Sequence, residues 1–332
     1  MAIRFQPTIA ADWANATPAD LPRPEPVLGR VDEQTARVFQ RFNVSIPPFR
    51  TPEFTAVANK LSDTMLFNEH RPFGGRRVLI VDGVAHIGKT TAILAAGAAR
   101  VSAHDPPITV HDNGRVWPIP WAYVEASAQG HGRALTRSLC TFLGLPIQSS
   151  ETAQTSIDRV ACTARALQLE VIVIDDFHML GAATGPQQEQ IANTVKHLIT
   201  AVPATFVIAG NNLAHHPLVQ PTRTGSTAAD QIRARADWAG FRPWPYGSDE
   251  SDEAWRVLFG LLKRAIALPR GEKQWKLDQL STLHQVQQRC GGRPSTATEW
   301  IITAANAAIA NDIALNLNTL NSVRDGVKGL HP

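Results

Sequence analysis

Between Val78 and Leu94 the chain reads VLIVDGVAHIGKTTAIL, and no other stretch limits the available folds as tightly. The four residues VLIV suit a strand buried on both faces. A loop bounded by glycines follows, Gly83-x-x-x-x-Gly88-Lys89-Thr90, and then an alanine-rich run of helix formers. A buried strand passing through such a loop into a helix calls for a parallel sheet with helical crossovers. Glycine lets the backbone curl so that N–H groups converge on an anion, and the helix start aims the positive end of its dipole at the same point. Gly83, Val84, Ala85, His86, Ile87, Gly88, Lys89, Thr90 and Thr91 are therefore expected to cradle the phosphates of a nucleoside triphosphate. Lys89 would reach the β- and γ-phosphates, and the Thr90 hydroxyl would ligate Mg²⁺.

The surrounding pattern repeats the strand–helix alternation. RVLIVDG, IPWAYVEAS, LEVIVIDD and ATFVIAGN read as strands. TAVANKLSDTMLFNEH, leading into the first strand, and KTTAILAAGAARV, GRALTRSLCTFLG, SIDRVACTARALQ and QEQIANTVKHLITAV, between the strands, read as helices. This predicts an α/β fold, a parallel sheet covered by helices. HHPLVQPTRTGSTAADQ reads as loop, and beyond Asp252 every segment is helical, with Thr296 and Glu299 spaced for a capping box. Residues 1–52 hold eight prolines and are expected to form an arm; its one helical candidate is VDEQTARVFQRFN, with Val31, Ala36, Phe39 and Phe42 near helical spacing. The expected division is a proline-rich arm at 1–52, a nucleotide-binding α/β domain at 53–246 and a small all-helical lid at 247–332.

Two further strand ends carry chemistry. VIVIDDFHML closes on Asp175-Asp176, where the first carboxylate suits the Mg²⁺ shell and the second the polarisation of an attacking water. FVIAGNN closes on Gly210-Asn211-Asn212; an amide there, Asn211 before Asn212, can orient the water or sense the γ-phosphate. His215-His216 lack a further ligand at metal spacing. His86 occupies a variable loop position, and His178 is assigned no chemistry. RPFGGRR (71–77) and RTGSTAADQIRAR (223–235) are locally basic and could meet DNA phosphates or simply face water.

Composition adds little. The formal charge of +3 is mild. No apolar run approaches the roughly 20 residues a bilayer span needs, and the N-terminus lacks a secretory core. Cys140, Cys162 and Cys290 suit buried thiols in a reducing cytoplasm rather than a disulfide frame. The expectation is a cytoplasmic protein without a membrane partner.

The order of these parts resembles the AAA+ ATPases, and within them the TniB/TnsC-type ATPases of transposition systems, over roughly residues 55–310. PWAYVEAS…RSLCTFLGLP matches a strand and helix that end near LG-P in that family. Asp175-Asp176-Phe177-His178 stands where the family carries Asp-Glu-x-His. ADQIRARADW, with Asp230, Gln231, Arg233 and Arg235, is similar to its Asp-Gln followed by Arg-Phe. LFGLLKRAIALPR resembles the helix and turn that follow, and CGGRPSTATEWIITAANAAI the start of the lid helices. Asp176 replaces the usual Glu, Ala236 the usual Phe, and the segment 101–117 is longer than the family pattern.

The resemblance implies ATP bound with Mg²⁺ between neighbouring subunits of a ring or filament. Arg235, or else Arg233, would touch the γ-phosphate held by the next subunit, Arg293 would read nucleotide state from the lid, and Asp176 and Asn211 would act on the water. It further implies that the ATP-bound homo-oligomer wraps duplex DNA without sequence preference and recruits a transposase or integrase, hydrolysis being slow if Asp176 is a poor base. Another AAA+ switch, such as a helicase loader or a defence-system NTPase, and an ATP-bound scaffold with little turnover are the alternatives. A small-molecule kinase would need neither Asn211, the arginine pair nor a helical lid.

Overall fold

The computed structural model describes residues 5–16, 21–70, 75–111, 115–127, 132–147, 150–182, 186–220, 227–245, 247–327 and 329–330. In chain order its elements are α1 (Glu33–Val44), α2 (Pro52–His70), β1 (Val78–Gly83), α3 (Lys89–Ser102), β2 (Thr109–Val110), β3 (Val116–Trp117), β4 (Trp121–Glu125), α4 (Gly132–Phe142) and α5 (Ala153–Ala166). There follow β5 (Val171–Asp175), α6 (Pro186–Ala201), β6 (Thr205–Gly210), α7 (Ala228–Arg233), β7 (Ala236–Phe241), α8 (Asp249–Ala265), α9 (Leu280–Arg289), α10 (Pro294–Ala310) and α11 (Leu317–Ser322). The chain divides into two compact units: Met1–Thr17 with Arg50–Val84 and Lys89–Phe241, and Pro18–Phe49 with Ala85–Gly88 and Arg242–Pro332. Among the described residues no helix is long and apolar enough to cross a membrane.

The first unit is built on a five-stranded sheet in the order β4-β5-β6-β1-β7, every pair parallel. Val78–Val81 and Val171–Ile174 are wholly buried, alternate residues included, so helices cover these strands on both faces. Parallel strands all end at one edge of their sheet. The register sets Asp82 beside Gly210 and Glu125 beside Asp175 there, which assembles the strand ends that carry chemistry. On the β4 side Trp121 lies against Gly97 of α3, where a Cβ would sit 2.6 Å from the indole. Trp13, from a short 3-10 turn at Ala10–Asn15, closes the same pocket, its indole N–H donating to the carbonyl of Pro7.

Four of the five strands match the periodic reading. The fifth, β7, runs through ADWAGF in a segment with no such signature, yet pairs with β1 along its whole length. Its polar and small residues suit a half-exposed edge strand, where the ladder rather than an apolar run holds the chain. Part of the stretch read as loop is the helix α7, opened by a capping box between Thr227 and Asp230. The segment 101–117 carries the small antiparallel ribbon β2–β3. The capping box expected at Thr296 and Glu299 does not form: α10 begins earlier, with Arg293 as N-cap and Pro294 in the first turn, so Thr296 already lies within the helix. Cys140 and Cys290 are buried, whereas Cys162 is exposed, against expectation; all three are free thiols.

The second unit is helical and shares a core of Trp255, Leu258, Leu262, Trp300, Ile301, Ala304 and Ala308. The small residues on α10 let α1 approach, and α1 contributes Ala36 and Phe39 to that core. The proline-rich segment from 21 to 49 is thus a folded part of this unit. Arg23 donates to the carbonyls of Arg264, Ala265 and Ile266 at 2.8–2.9 Å, satisfying the open C-terminus of α8 with a cation. Asn43 is fully buried and mimics a strand partner for Ala267: its carbonyl accepts the Ala267 N–H at 2.8 Å and its amide donates to the Ala267 carbonyl at 3.0 Å. Asn43→Ala leaves both backbone groups buried without a partner, and we expect it to destabilise this unit by about 2 kcal/mol. A lowered urea midpoint of the full-length variant would register the loss.

Candidate functional site

The site grows from the end of β1. Asp82 accepts the N–H of Leu213 at 2.8 Å, tying this strand end to the turn after β6. At Gly83 a Cβ would lie 2.6 Å from the carbonyl oxygen of Phe241, so glycine is required there by the close approach of β7 rather than by loop curvature. The left-handed backbone falls instead at Gly88 (φ 106°) and at His86 (φ 57°), a conformation that strains a residue with a side chain. The loop then enters α3 at Lys89.

Lys89 is buried, 7% exposed, and all three of its ammonium hydrogens are used. Nζ donates to the carbonyls of Gly83 (2.9 Å) and Val84 (2.8 Å) and to Oδ1 of Asn211 (2.8 Å). Its partners are neutral oxygens, with no carboxylate at ion-pair distance among the described residues. Burial pulls its pKa down, opposed by the charges of Asp175, Asp82 and Asp176. A phosphate oxygen would give this cation the directly bonded anion it otherwise lacks. Thr91 lies exposed on the first turn of α3.

Asp175, 2% exposed, is held from three directions. The hydroxyls of Thr90 and Tyr123 both donate to its Oδ2 at 2.7 Å, and the N–H of Asp176 donates to Oδ1 at 2.8 Å. Burial first and the charge of Asp175 second push the Tyr123 phenol far above its ordinary range, so it remains a donor. Thr90 and Asp175 therefore present two hard oxygens side by side, a donor set that fits Mg²⁺, which takes one or two protein oxygens and completes its shell with water and phosphate.

Asp176 departs from the strand with φ 51° and turns a largely exposed carboxylate towards His178, 4.0 Å from Nδ1. The His178 ring also meets Asn211, whose backbone N–H lies 3.4 Å from Nδ1 and whose amide nitrogen lies 3.2 Å from Nε2. Asn212 turns away with φ 53° at the start of a 3-10 turn. The neighbouring carboxyl of Glu125, at the solvent-facing end of β4, is raised above its ordinary pKa by partial desolvation first and then by the charges of Asp176 and Asp175.

Lys89, Thr90, Asp175, Asp176 and Asn211, singled out from the sequence, thus come together. Arg233 and Arg235 do not join them. They lie at the opposite edge of the sheet, where β7 begins, since Ala236 pairs with Val78 and Phe241 with Gly83. Arg235 packs its guanidinium on the backbone of Gly75. Arg233 sits over the Trp238 ring, 5.4 Å from its centroid, and donates to the Val219 carbonyl at 3.5 Å. Arg293 belongs to the second unit, donating from Nε to the Cys290 carbonyl (2.9 Å) and from Nη2 to the Gly329 carbonyl (2.5 Å). Of the basic stretches, 71–74 and 223–226 lie outside the described residues. Arg76 donates to the Val202 carbonyl and Arg77 stacks on Phe67, so both have structural partners.

Tyr123, Asp82, His178 and Glu125 were not assigned to the site from the sequence. Tyr123 and Glu125 stand two apart in YVE, a same-face spacing, but only the pairing of β4 with β5 shows which carboxylate they neighbour.

Residues 49–222 match the family described as Bacterial TniB protein. No curated protein matched the chain. Among solved structures, CDC6P from Pyrobaculum aerophilum shares 15% identity at a TM-score of 0.56, over 86% of this chain and 70% of its own. ORC2 of Aeropyrum pernix, solved in ADPNP–ADP complexes, shares 15% identity at a TM-score of 0.55, over 85% and 70%. The fold is that of the AAA+ P-loop ATPases.

His216 supplies a pH test of the loop beside this site. It is buried, lies tilted against the Phe177 ring at 5.6 Å between centroids, and uses Nδ1 to accept the Leu218 N–H at 3.3 Å. Burial lowers its pKa, so the unfolded chain takes up its proton first and folding stability falls as pH drops below about 6.5. Between pH 7.5 and 5.5 the melting temperature is expected to fall in the wild type and to fall less in His216→Gln, followed by scanning calorimetry.

Proposed function

The chain belongs to the TniB family, and from that premise we propose that it is an ATP-dependent, DNA-binding regulator of transposition. It assembles with ATP and recruits or activates the transposase or integrase of the same element. The observation that carries the nucleotide part is the buried Lys89 ammonium held on neutral oxygens next to the Thr90–Asp175 pair. A cation so placed favours a triphosphate, and two oxygens so placed favour its Mg²⁺.

Main-chain groups of the loop from Gly83 to Thr91 hold the phosphates, and Lys89 carries the β- and γ-oxygens. Thr90 and Asp175 hold Mg²⁺, which when bound neutralises charge on the phosphates. Asn211, fixed by Lys89 and His178, orients the water with Asp176. Arg235, with Arg233 as second candidate, serves the triphosphate of a neighbouring copy. The support is its place at the sheet edge away from its own Lys89, which leaves a second copy as the site it can reach. Such an arrangement makes ATP occupancy report assembly in a ring or filament. Arg293 is the candidate reader of nucleotide state in the second unit. Duplex DNA is the proposed track, on the family premise.

A second reading, an ATP-bound scaffold with slow turnover, is favoured by one observation: the short Asp176 carboxylate faces His178. Phosphate release with and without duplex DNA separates the two. DNA-stimulated turnover supports the regulator, and nucleotide-dependent oligomers without turnover support the scaffold. Lys89→Ala is expected to weaken binding of a fluorescent ATP analogue by at least about a hundredfold while leaving the circular dichroism unchanged, because it removes the charge-assisted contacts to phosphate. Unchanged affinity in that variant would remove the nucleotide site itself. For Arg235→Ala, loss of turnover with ATP binding retained supports its action on a neighbour.

A further inference from the structure

The odd-numbered face of β4 points at the nucleotide loop's helix. Trp121 packs on Gly97 of α3, and two residues on, Tyr123 donates to the Asp175 carboxylate that also holds Thr90, at the start of α3. Side chains two apart on a strand share a face and lie about 6.7 Å apart. The next residue on this face is Glu125. It therefore stands one step past Tyr123, at the sheet edge where β1 runs into the glycine-bounded loop. The register confirms the placement: Glu125 is the direct partner of Asp175 in the parallel ladder, and such partners share a face at a strand spacing of about 4.8 Å. The Ala126 N–H still donates to the Asp175 carbonyl at 2.8 Å, so the pairing with β5 continues one residue past Glu125.

Asp176 is less well placed for a water on the phosphate. It has left the strand with φ 51°, its carboxylate is one methylene shorter than glutamate's, and it faces His178. Resting on the reading of this chain as an ATPase, we propose that Glu125 is the catalytic residue that takes the proton of the attacking water, with Asp176 acting as a secondary polar contact. As the water oxygen bonds to the γ-phosphorus, its proton passes to the Glu125 carboxylate. The bond from phosphorus to the β–γ bridging oxygen breaks, its electron pair leaving with ADP. The proton then moves from Glu125 to the released phosphate or to solvent, restoring the carboxylate. No oxidation or reduction is involved.

The test compares full-length wild type, Glu125→Gln and Asp176→Asn, with saturating Mg-ATP and duplex DNA. Phosphate release is read alongside binding of a fluorescent ATP analogue and ATP-dependent sedimentation. Removing a general base typically costs about a hundredfold or more. Glu125→Gln is therefore expected to lose at least about a hundredfold in turnover, with nucleotide affinity within about threefold of wild type and assembly retained. Asp176→Asn is expected to lose about tenfold or less. Turnover of Glu125→Gln within about threefold of wild type, or a greater loss in Asp176→Asn than in Glu125→Gln, would overturn the assignment while leaving the ATPase reading intact. A Glu125→Gln variant that loses turnover only because it no longer binds nucleotide would overturn it too. Wild-type protein that binds ATP yet releases no phosphate, with or without DNA, would defeat the ATPase reading and this assignment together.

Discussion

The buried carboxylate of Asp175 organises the edge of the sheet where the strands end. An ionised carboxylate at 2% exposure is costly unless its oxygens are hydrogen-bonded. Here the donors come from three places in the chain: Thr90 at the head of α3, Tyr123 on β4 and the N–H of Asp176 just past β5. Each donor fixes a different element relative to β5. Loss of the carboxylate would therefore loosen the helix start and the edge strand together.

Lys89 does the same for the other side of the loop. Its ammonium joins the carbonyls at the end of β1 to the amide at the end of β6. Asp82 adds a second tie across that pair of strand ends through the Leu213 N–H. Cation and anion are each satisfied separately, the first by neutral oxygens and the second by two hydroxyls and a backbone N–H, rather than by each other. This keeps both available to a charged ligand, because neither must break an ion pair to receive it.

In the second unit, burial again outranks local composition. Eight prolines in the first 52 residues suggest an extended arm, yet α1 adds Phe39 to the helical core, Arg23 closes the end of α8, and Asn43 pairs with Ala267 in full burial. Proline breaks helices but does not prevent a chain from docking, and the apolar spacing of Ala36 and Phe39 was the visible trace of that docking.

Much of the site was legible in the order of residues. The run from Val78 to Leu94 specified strand, loop and helix, because hydrophobic periodicity and glycine placement act within a few residues of one another. VIVIDD announced a buried strand with acids at its end for the same reason. Three features were not legible. β7 has no apolar run and exists because β1 offers it a ladder. The need for glycine at position 83 comes from the Phe241 carbonyl, 158 positions away in the chain. The places of Tyr123 and Glu125 beside Asp175 depend on β4 lying next to β5. By itself, then, the sequence determined which segments are strands and helices and which side chains sit at their ends, since those follow from local hydrogen bonding and burial. Only the tertiary structure decided which ends are neighbours, since strand order is set by packing between residues far apart along the chain.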